Sequence, residues 1–158
     1  MKFSDFICEK AIRAQLGADN KKDVIDELVD SLLEAGEISA DEKADIIAAI
    51  MKREELGSTG IGRGVAVPHT KHAGVGKLVG TVGVSVAGVD FNSLDGEKVQ
   101  LFFLLISPPD RPGDHLRALE NISKQLRGET FCRFLKQSRT SEDIRQLLEE
   151  ADASQFSG

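Results

Sequence analysis

Val99-Gln100-Leu101-Phe102-Phe103-Leu104-Leu105-Ile106 is the stretch that decides the fold. A strand with one wet face alternates apolar and polar residues. A run that only Gln100 interrupts predicts a strand covered on both faces, in the middle of a sheet. Ser107-Pro108-Pro109-Asp110-Arg111-Pro112-Gly113 stops the run sharply, because proline fixes φ and removes a ladder donor. Beyond it, Asp114 is the expected cap of a helix with Leu116, Leu119, Ile122 and Leu126 inside, closed by Gly128. A short helical piece follows over Glu129 to Lys136, anchored by Phe131, Phe134 and Leu135. Thr140-Ser141-Glu142-Asp143 opens a last helix carrying Ile144, Leu147 and Leu148, and the tail from Asp152 to Gly158 reads as frayed.

Toward the N-terminus, Leu78 to Val86 is β-branched and glycine-bearing, a strand with a close approach or a bend. Lys10 to Leu16 alternates, with Ile12, Ala14 and Leu16 on one side, and predicts a first strand. Asn20 is the expected cap of a helix whose inner face is Val24, Ile25, Leu28, Val29, Leu32 and Leu33, ended by a left-handed Gly36. Ser39-Ala40-Asp41-Glu42 reads as a capping box, with Ala44, Ile47, Ile50 and Met51 inside a helix that stops at Gly57. A glycine-rich loop from Gly57 to Gly64 then feeds a short strand, Val65 to Val67. The pattern is α/β: a mixed sheet with helices on both faces, in a single domain over residues 1–158.

Composition excludes several function classes. A net charge of -6 with no basic stripe argues against nucleic acid. The absence of Trp and Tyr removes the usual stacking platform for single strands or sugars. No long apolar segment predicts a membrane span or a signal peptide, so a cytoplasmic protein is expected. Cys8 and Cys132 match no metal or redox spacing and read as small apolar fillers.

The chemistry gathers at Gly60-Ile61-Gly62-Arg63-Gly64-Val65-Ala66-Val67-Pro68-His69. Glycines bring backbone N–H groups close to a ligand, and Pro68 fixes the chain just before an imidazole that can act as a nucleophile near neutral pH. That combination suits a small anion such as a phosphoryl group. The loop lacks the Gly-Lys-Ser/Thr ending of a P-loop, and it precedes a strand, unlike a dinucleotide turn. No G-x-S-x-G elbow supports a serine hydrolase. His69 and His72 form an H-x-x-H pair, but no third ligand stands at a plausible spacing, so no metal and no cofactor are expected. His72 by itself reads as a solvent-facing loop residue. His115, at a helix start after the central strand, is either a surface capping residue or a neutral imidazole that donates to a phosphoryl oxygen. Arg53 is either a solvated helix-end charge or a guanidinium beside the phosphoryl site, and Arg63 competes with it for that place.

Arg53-Glu54-Glu55-Leu56-Gly57-Ser58-Thr59-Gly60-Ile61-Gly62, Gly64-Val65-Ala66-Val67-Pro68-His69, and His115-Leu116 with Leu119 beyond resemble the enzyme IIA domains of the fructose–mannitol class. These are phosphohistidine carriers of the bacterial phosphoenolpyruvate-dependent phosphotransferase system. The Ser-Thr-Gly-Ile-Gly wording in a free-standing domain is most similar to the nitrogen-regulatory (PtsN-like) branch. The resemblance implies a mixed five-stranded sheet between helical layers. It implies a phosphoryl group accepted on Nε2 of His69 from a histidine phosphocarrier protein (HPr-like), with His115 as the second histidine and Arg53 as the active-site arginine. It implies an enzyme IIB or a regulatory target protein as the downstream partner. Relay of phosphate and regulation through partner choice both remain open at this point.

Overall fold

The computed structural model describes residues 1–153. Five strands, β1 (Gly60–Gly62), β2 (Val65–Ala66), β3 (His69–Lys71), β4 (Val79–Val89) and β5 (Val99–Ser107), form one mixed sheet. The helices are α1 (Lys21–Glu34), α2 (Ala40–Glu55), α3 (Pro112–Leu126), α4 (Glu129–Gln137) and α5 (Ser141–Asp152). Among the described residues, no helix is long and apolar enough to cross a membrane.

β5 occupies the centre, as its apolar run requires. β4 pairs antiparallel with one edge, from Val79 opposite Ile106 to Val89 opposite Val99. On the other edge β2 and β3 lie end to end, both parallel to β5, level with Leu101–Phe102 and with Leu105–Ser107. Val67 and Pro68 fill the gap between them. β1 adds an antiparallel hairpin to β2. Its turn residues Arg63 and Gly64 have φ of 58° and 77°, the double positive φ that a tight hairpin needs. The expected glycine loop thus contains a strand of its own.

Alternation along β5 divides the core. Leu101, Phe103 and Leu105 join Val82, Val84, Ile122, Leu126, Phe131 and Ile144 on the α3–α5 side. Phe102, Leu104 and Ile106 join Val24, Ile25, Leu28, Ile46 and Ile50 on the α1–α2 side. Each of these β5 side chains is fully buried. At roughly 1.5–3 kcal/mol per large side chain, the strand is a principal source of stability.

Several expected details differ. Lys10 to Leu16 is not a strand: the chain makes a 3-10 turn at Glu9–Ala11 and meets β4 at isolated bridges, Ile7 with Gly80 and Arg13 with Gly83, and at single bonds such as Leu16 N–H to the Val84 carbonyl. Its alternation survives, since Ile12, Ala14 and Leu16 are buried, but the turn at 9–11 interrupts a continuous ladder. Asn20 does cap α1, accepting from the Asp23 N–H at 3.0 Å. Gly36, at φ 81°, closes α1 with its N–H on Leu33 and the next N–H on Leu32. Ser39 stands before α2 without a side-chain cap bond, and the Glu42 carboxylate lies toward His72. The inner face of α2 is Ile46, Ile50 and Glu54; Ala44 is exposed and Ile47 and Met51 are half-buried, so the helix is rotated from the expected stripe. Arg111, not Asp114, precedes α3, and Pro112 opens it, where a missing donor costs nothing. Asp114 pairs with Arg117. Leu116 points outward, at 59% exposure, and Phe134 is also exposed. Gly128 starts α4 and does not close α3, whose last cap is Arg127. β4 begins and ends later than expected, and β2 stops at Ala66. Asp152, expected in the frayed tail, ends α5 and accepts from the Phe3 N–H at 2.6 Å and the Ser4 N–H at 2.9 Å. The rest of that tail, 154–158, lies outside the described residues.

Gly80 records how closely the layers meet. A Cβ there would lie 2.6 Å from the Leu104 carbonyl oxygen, and 3.4 Å from Ile7 and Phe6 side chains. Gly80→Ala should therefore lower unfolding free energy by about 1–3 kcal/mol, the usual cost of overpacking. Gly76→Ala, with nothing within 4 Å of its added Cβ, should stay within about 0.5 kcal/mol of wild type. Urea denaturation of both variants checks this, and equal midpoints would refute the close approach.

Candidate functional site

The site forms where β3 begins. Pro68 cannot donate to a ladder, and Val67 falls in the gap between β2 and β3, so its carbonyl is free to turn to a side chain. His69 Nδ1 lies 2.7 Å from the Val67 carbonyl oxygen. A carbonyl only accepts, so Nδ1 carries the proton and donates. Nε2 is then the unprotonated nitrogen of the neutral ring, with its lone pair available. His69 is half-buried. Burial pushes its pKa below the usual 6.5, and the Arg53 charge adds to this, while the Val67 bond and Glu54 oppose it.

His115 stands opposite, with ring centroids 5.6 Å apart and ring planes at 53°. It is 6% exposed, on the first turn of α3. Burial, then the neighbouring His69 and Lys71, hold its pKa down at about 4, so it is neutral at physiological pH. Of the two readings the sequence left open, the surface one is excluded by this burial. Its Nδ1 is 2.5 Å from the hydroxyl of Ser107, the last residue of β5.

Arg53 lies in the last turn of α2, half-buried, with Nη1 donating to the Gly57 carbonyl at 3.0 Å. Its charge is felt by His69. Arg63 is elsewhere. It sits at the hairpin tip and donates to the Leu126 carbonyl at 3.1 Å, at the far end of α3 from His115. Eleven helical residues separate those ends, about 16 Å. The structure thus groups His69, His115 and Arg53 and leaves Arg63 out.

Glu54 anchors the loop between Arg53 and His69. Its buried carboxylate accepts from the Thr59 N–H at 3.1 Å and from the Thr59 hydroxyl, and pairs with Lys21 at 2.7 Å. Thr59 in turn accepts from the Val67 N–H at 3.1 Å, which ties the loop to the segment before His69. Sequence reasoning missed Glu54 and Ser107. The signal for Glu54 was present: with Ile46 and Ile50 it continues a spacing of four along α2, a charge on a buried stripe. Ser107 offered only its place as the first polar residue after the apolar run.

His72 is not the solvent-facing residue expected. Its Nδ1 accepts from the Gly74 N–H at 2.9 Å, which makes Nε2 the protonated nitrogen, donating to Asp45 at 2.5 Å. Glu42, Asp45 and His72 bring possible ligand atoms within 4.8 Å of one another. Hydrogen bonds engage both ring nitrogens there, and Nε2 presents a proton, not a lone pair, to the carboxylate. The H-x-x-H pair itself does not converge, since His69 faces His115 and His72 faces α2.

Two imidazoles held neutral, one with a bare Nε2, and one guanidinium whose charge acts on His69 make a site suited to receiving a compact anion. Comparison with known proteins gives the family. The chain is 33% identical over 148 residues to a nitrogen regulatory protein of Bradyrhizobium diazoefficiens, spanning 94% of this chain and 95% of that one. The crystal structure of the nitrogen regulatory protein IIA-Ntr from Neisseria meningitidis superposes with a TM-score of 0.83 at 29% identity, over 92% of this chain and 98% of that one. The mannitol enzyme IIA from Escherichia coli, solved in complex with phosphorylated mannitol enzyme IIB, shares the fold at a TM-score of 0.73 and 19% identity, covering 90% and 95% of the two chains. Residues 5–151 match the family described as phosphoenolpyruvate-dependent sugar phosphotransferase system, EIIA 2, and the chain belongs to it.

Proposed function

We propose that His69 is a phosphoryl acceptor, charged on Nε2 by an HPr-like histidine phosphocarrier protein in the cytoplasm. The observation that carries this reading is the bond from His69 Nδ1 to the Val67 carbonyl, which leaves Nε2 as the free nucleophile. In the transfer the donor's N–P bond breaks, its electron pair returns to the donor ring, and the His69 Nε2 lone pair forms the new N–P bond. No proton has to move. Because the Val67 oxygen can only accept, Nδ1 keeps its proton after transfer. The ring beside the phosphoryl group then carries positive charge and is a good leaving group for the next step. With the Ser107 O–H as hydrogen-bond donor to His115 Nδ1, the His115 Nε2–H is left to meet a phosphoryl oxygen. Arg53, with one nitrogen held by Gly57, has its other donors for the same group. The loose transition state of phosphoryl transfer gains most from such positioning.

Downstream, an enzyme IIB is one recipient; the mannitol IIA in its complex with phosphorylated IIB has the same fold. A regulatory role, in which phosphorylation of His69 selects the protein partner, is the second reading. It is favoured by the end-to-end similarity to a nitrogen regulatory protein. Both use one surface. Leu56 and Leu116, 83% and 59% exposed, belong to the segments that carry Arg53 and His115 and form an apolar rim for a partner.

Three outcomes are expected. His69→Ala should abolish acid-labile, base-stable labelling by phosphoenolpyruvate, enzyme I and the carrier, and His72→Ala should keep it; full labelling of the His69 variant would end this reading.

Ring-proton NMR should give His69 a midpoint below 6.5, with Arg53→Gln moving it upward, because the lost guanidinium no longer disfavours the imidazolium. An unmoved or lower midpoint would mean that Arg53 does not act on this ring.

Leu116→Glu should raise the KM for the phosphocarrier about tenfold, about 1.4 kcal/mol of lost docking, with little change in kcat. Steady-state transfer assays read the split, and an unchanged KM removes Leu116 from the docking rim.

A further inference from the structure

Arg63, left out of the phosphoacceptor site, points to a second one. It lines a cleft of about 510 Å³ together with Arg133, Lys136 and Arg139, facing a single carboxylate, Glu129. This is unusual for a chain of net charge -6. Elsewhere several cations are matched, Arg13 with Glu34, Lys21 with Glu54, Lys43 with Asp26 and Asp30, Arg145 with Glu142 and Glu149, and what sets the cleft apart is four cations on one concave surface. Among the described residues, none of the four cleft cations forms an ion pair.

They are held by main-chain carbonyls. Arg63 donates to Leu126, Lys136 to the carbonyl of Arg63, and Arg139 to Lys136 and Ser138 at 3.0 Å each. Helix C-termini attract cations, which accounts for where Lys136 and Arg139 sit. Carbonyls orient these charges but do not neutralise them. Among the described residues, Arg133 has the Phe134 ring beneath it, 5.5 Å from its guanidinium carbon, and no carbonyl partner. Arg63 sits at the hairpin tip with the left-handed φ of 58° that the tight turn needs. Next to it, a Cβ on Gly64 would meet the Lys136 ammonium at 3.0 Å. The cleft opens at the Leu101 end of β5, while His69 lies level with Leu105, about 13 Å along the strand.

We propose that this cleft is a non-covalent binding site for a small phosphate ester or anhydride bearing at least two phosphoryl groups, of the nucleoside di- or triphosphate kind. Four converging, unpaired cations exceed what one phosphate can contact. The concave shape and its size suit a small molecule more than an extended acidic chain. Guanidiniums fixed by carbonyls bind phosphate without first being ordered.

Isothermal titration of the full chain with pyrophosphate and with ATP, using sulfate as the single-anion control, tests the site. Pyrophosphate and ATP should bind at least tenfold more tightly than sulfate. Arg133→Glu, whose side chain holds no carbonyl, should weaken both at least tenfold with an unchanged melting curve, and Lys136→Gln should weaken them in the same sense. His69→Ala should bind like wild type. In amide NMR the shifts should centre on Gly64 and residues 132–137. Absence of binding, equal affinity for sulfate, unaltered binding by Arg133→Glu, or shifts centred on His69 and His115 would each overturn the proposal. So would tighter binding of a polyglutamate peptide or a single-stranded oligonucleotide than of ATP, which would reassign the cleft to an acidic macromolecule.

Discussion

β5 has strands on both edges and helices on both faces, and the geometry around His69 is measured from it. Its register with β3 sets the height of His69, level with Leu105. Its last residue, Ser107, fixes the His115 ring, and its odd residues hold the α3 layer from which His115 projects. Pro68 supplies the one irregularity. By interrupting the parallel pairing with β5 between the end of β2 and the start of β3, it frees the Val67 carbonyl for Nδ1 of His69. A polar site at the margin of an apolar strand is thus assembled from a missing hydrogen bond.

What the sequence disclosed follows from how local each cause is. β5 was legible because eight residues without alternation leave few alternatives, and the His69 loop because glycine, proline and histidine each act on their own backbone. Lys10 to Leu16 misled because alternation reports which side is buried, not whether the ladder is continuous; the chain there keeps the burial and loses the pairing. α2 misled because Ile46, Ile47, Ile50 and Met51 allow two inner faces. The choice between them rests on Glu54 reaching Lys21 and Thr59, contacts that no periodicity contains. Asp114 misled because a capping residue two places after a proline looks like a start, when the proline itself opens the helix.

A site suited to an anion, in an acidic protein, has to keep carboxylates out of the way. Here Glu54, whose charge acts on His69, is engaged by Thr59 and Lys21 on the inner side of α2. The positive charge that reaches the two imidazoles comes from Arg53 at His69 and from Lys71 at His115, and both imidazoles stay uncharged. The site therefore offers a compact anion directed donors instead of a strong field, a choice that allows the anion to leave as readily as it arrives.

Holding His115 neutral in the folded state has a thermodynamic side. In the unfolded chain its imidazole takes a proton near pH 6.5, while in the fold burial delays protonation to about 4. Between those values the unfolded ensemble binds a proton that the native state refuses, so native stability declines as pH falls through that interval and levels off below it. His69, also shifted downward, adds to the same trend. The imidazole that keeps the site ready at neutral pH makes the whole domain progressively easier to unfold in acid.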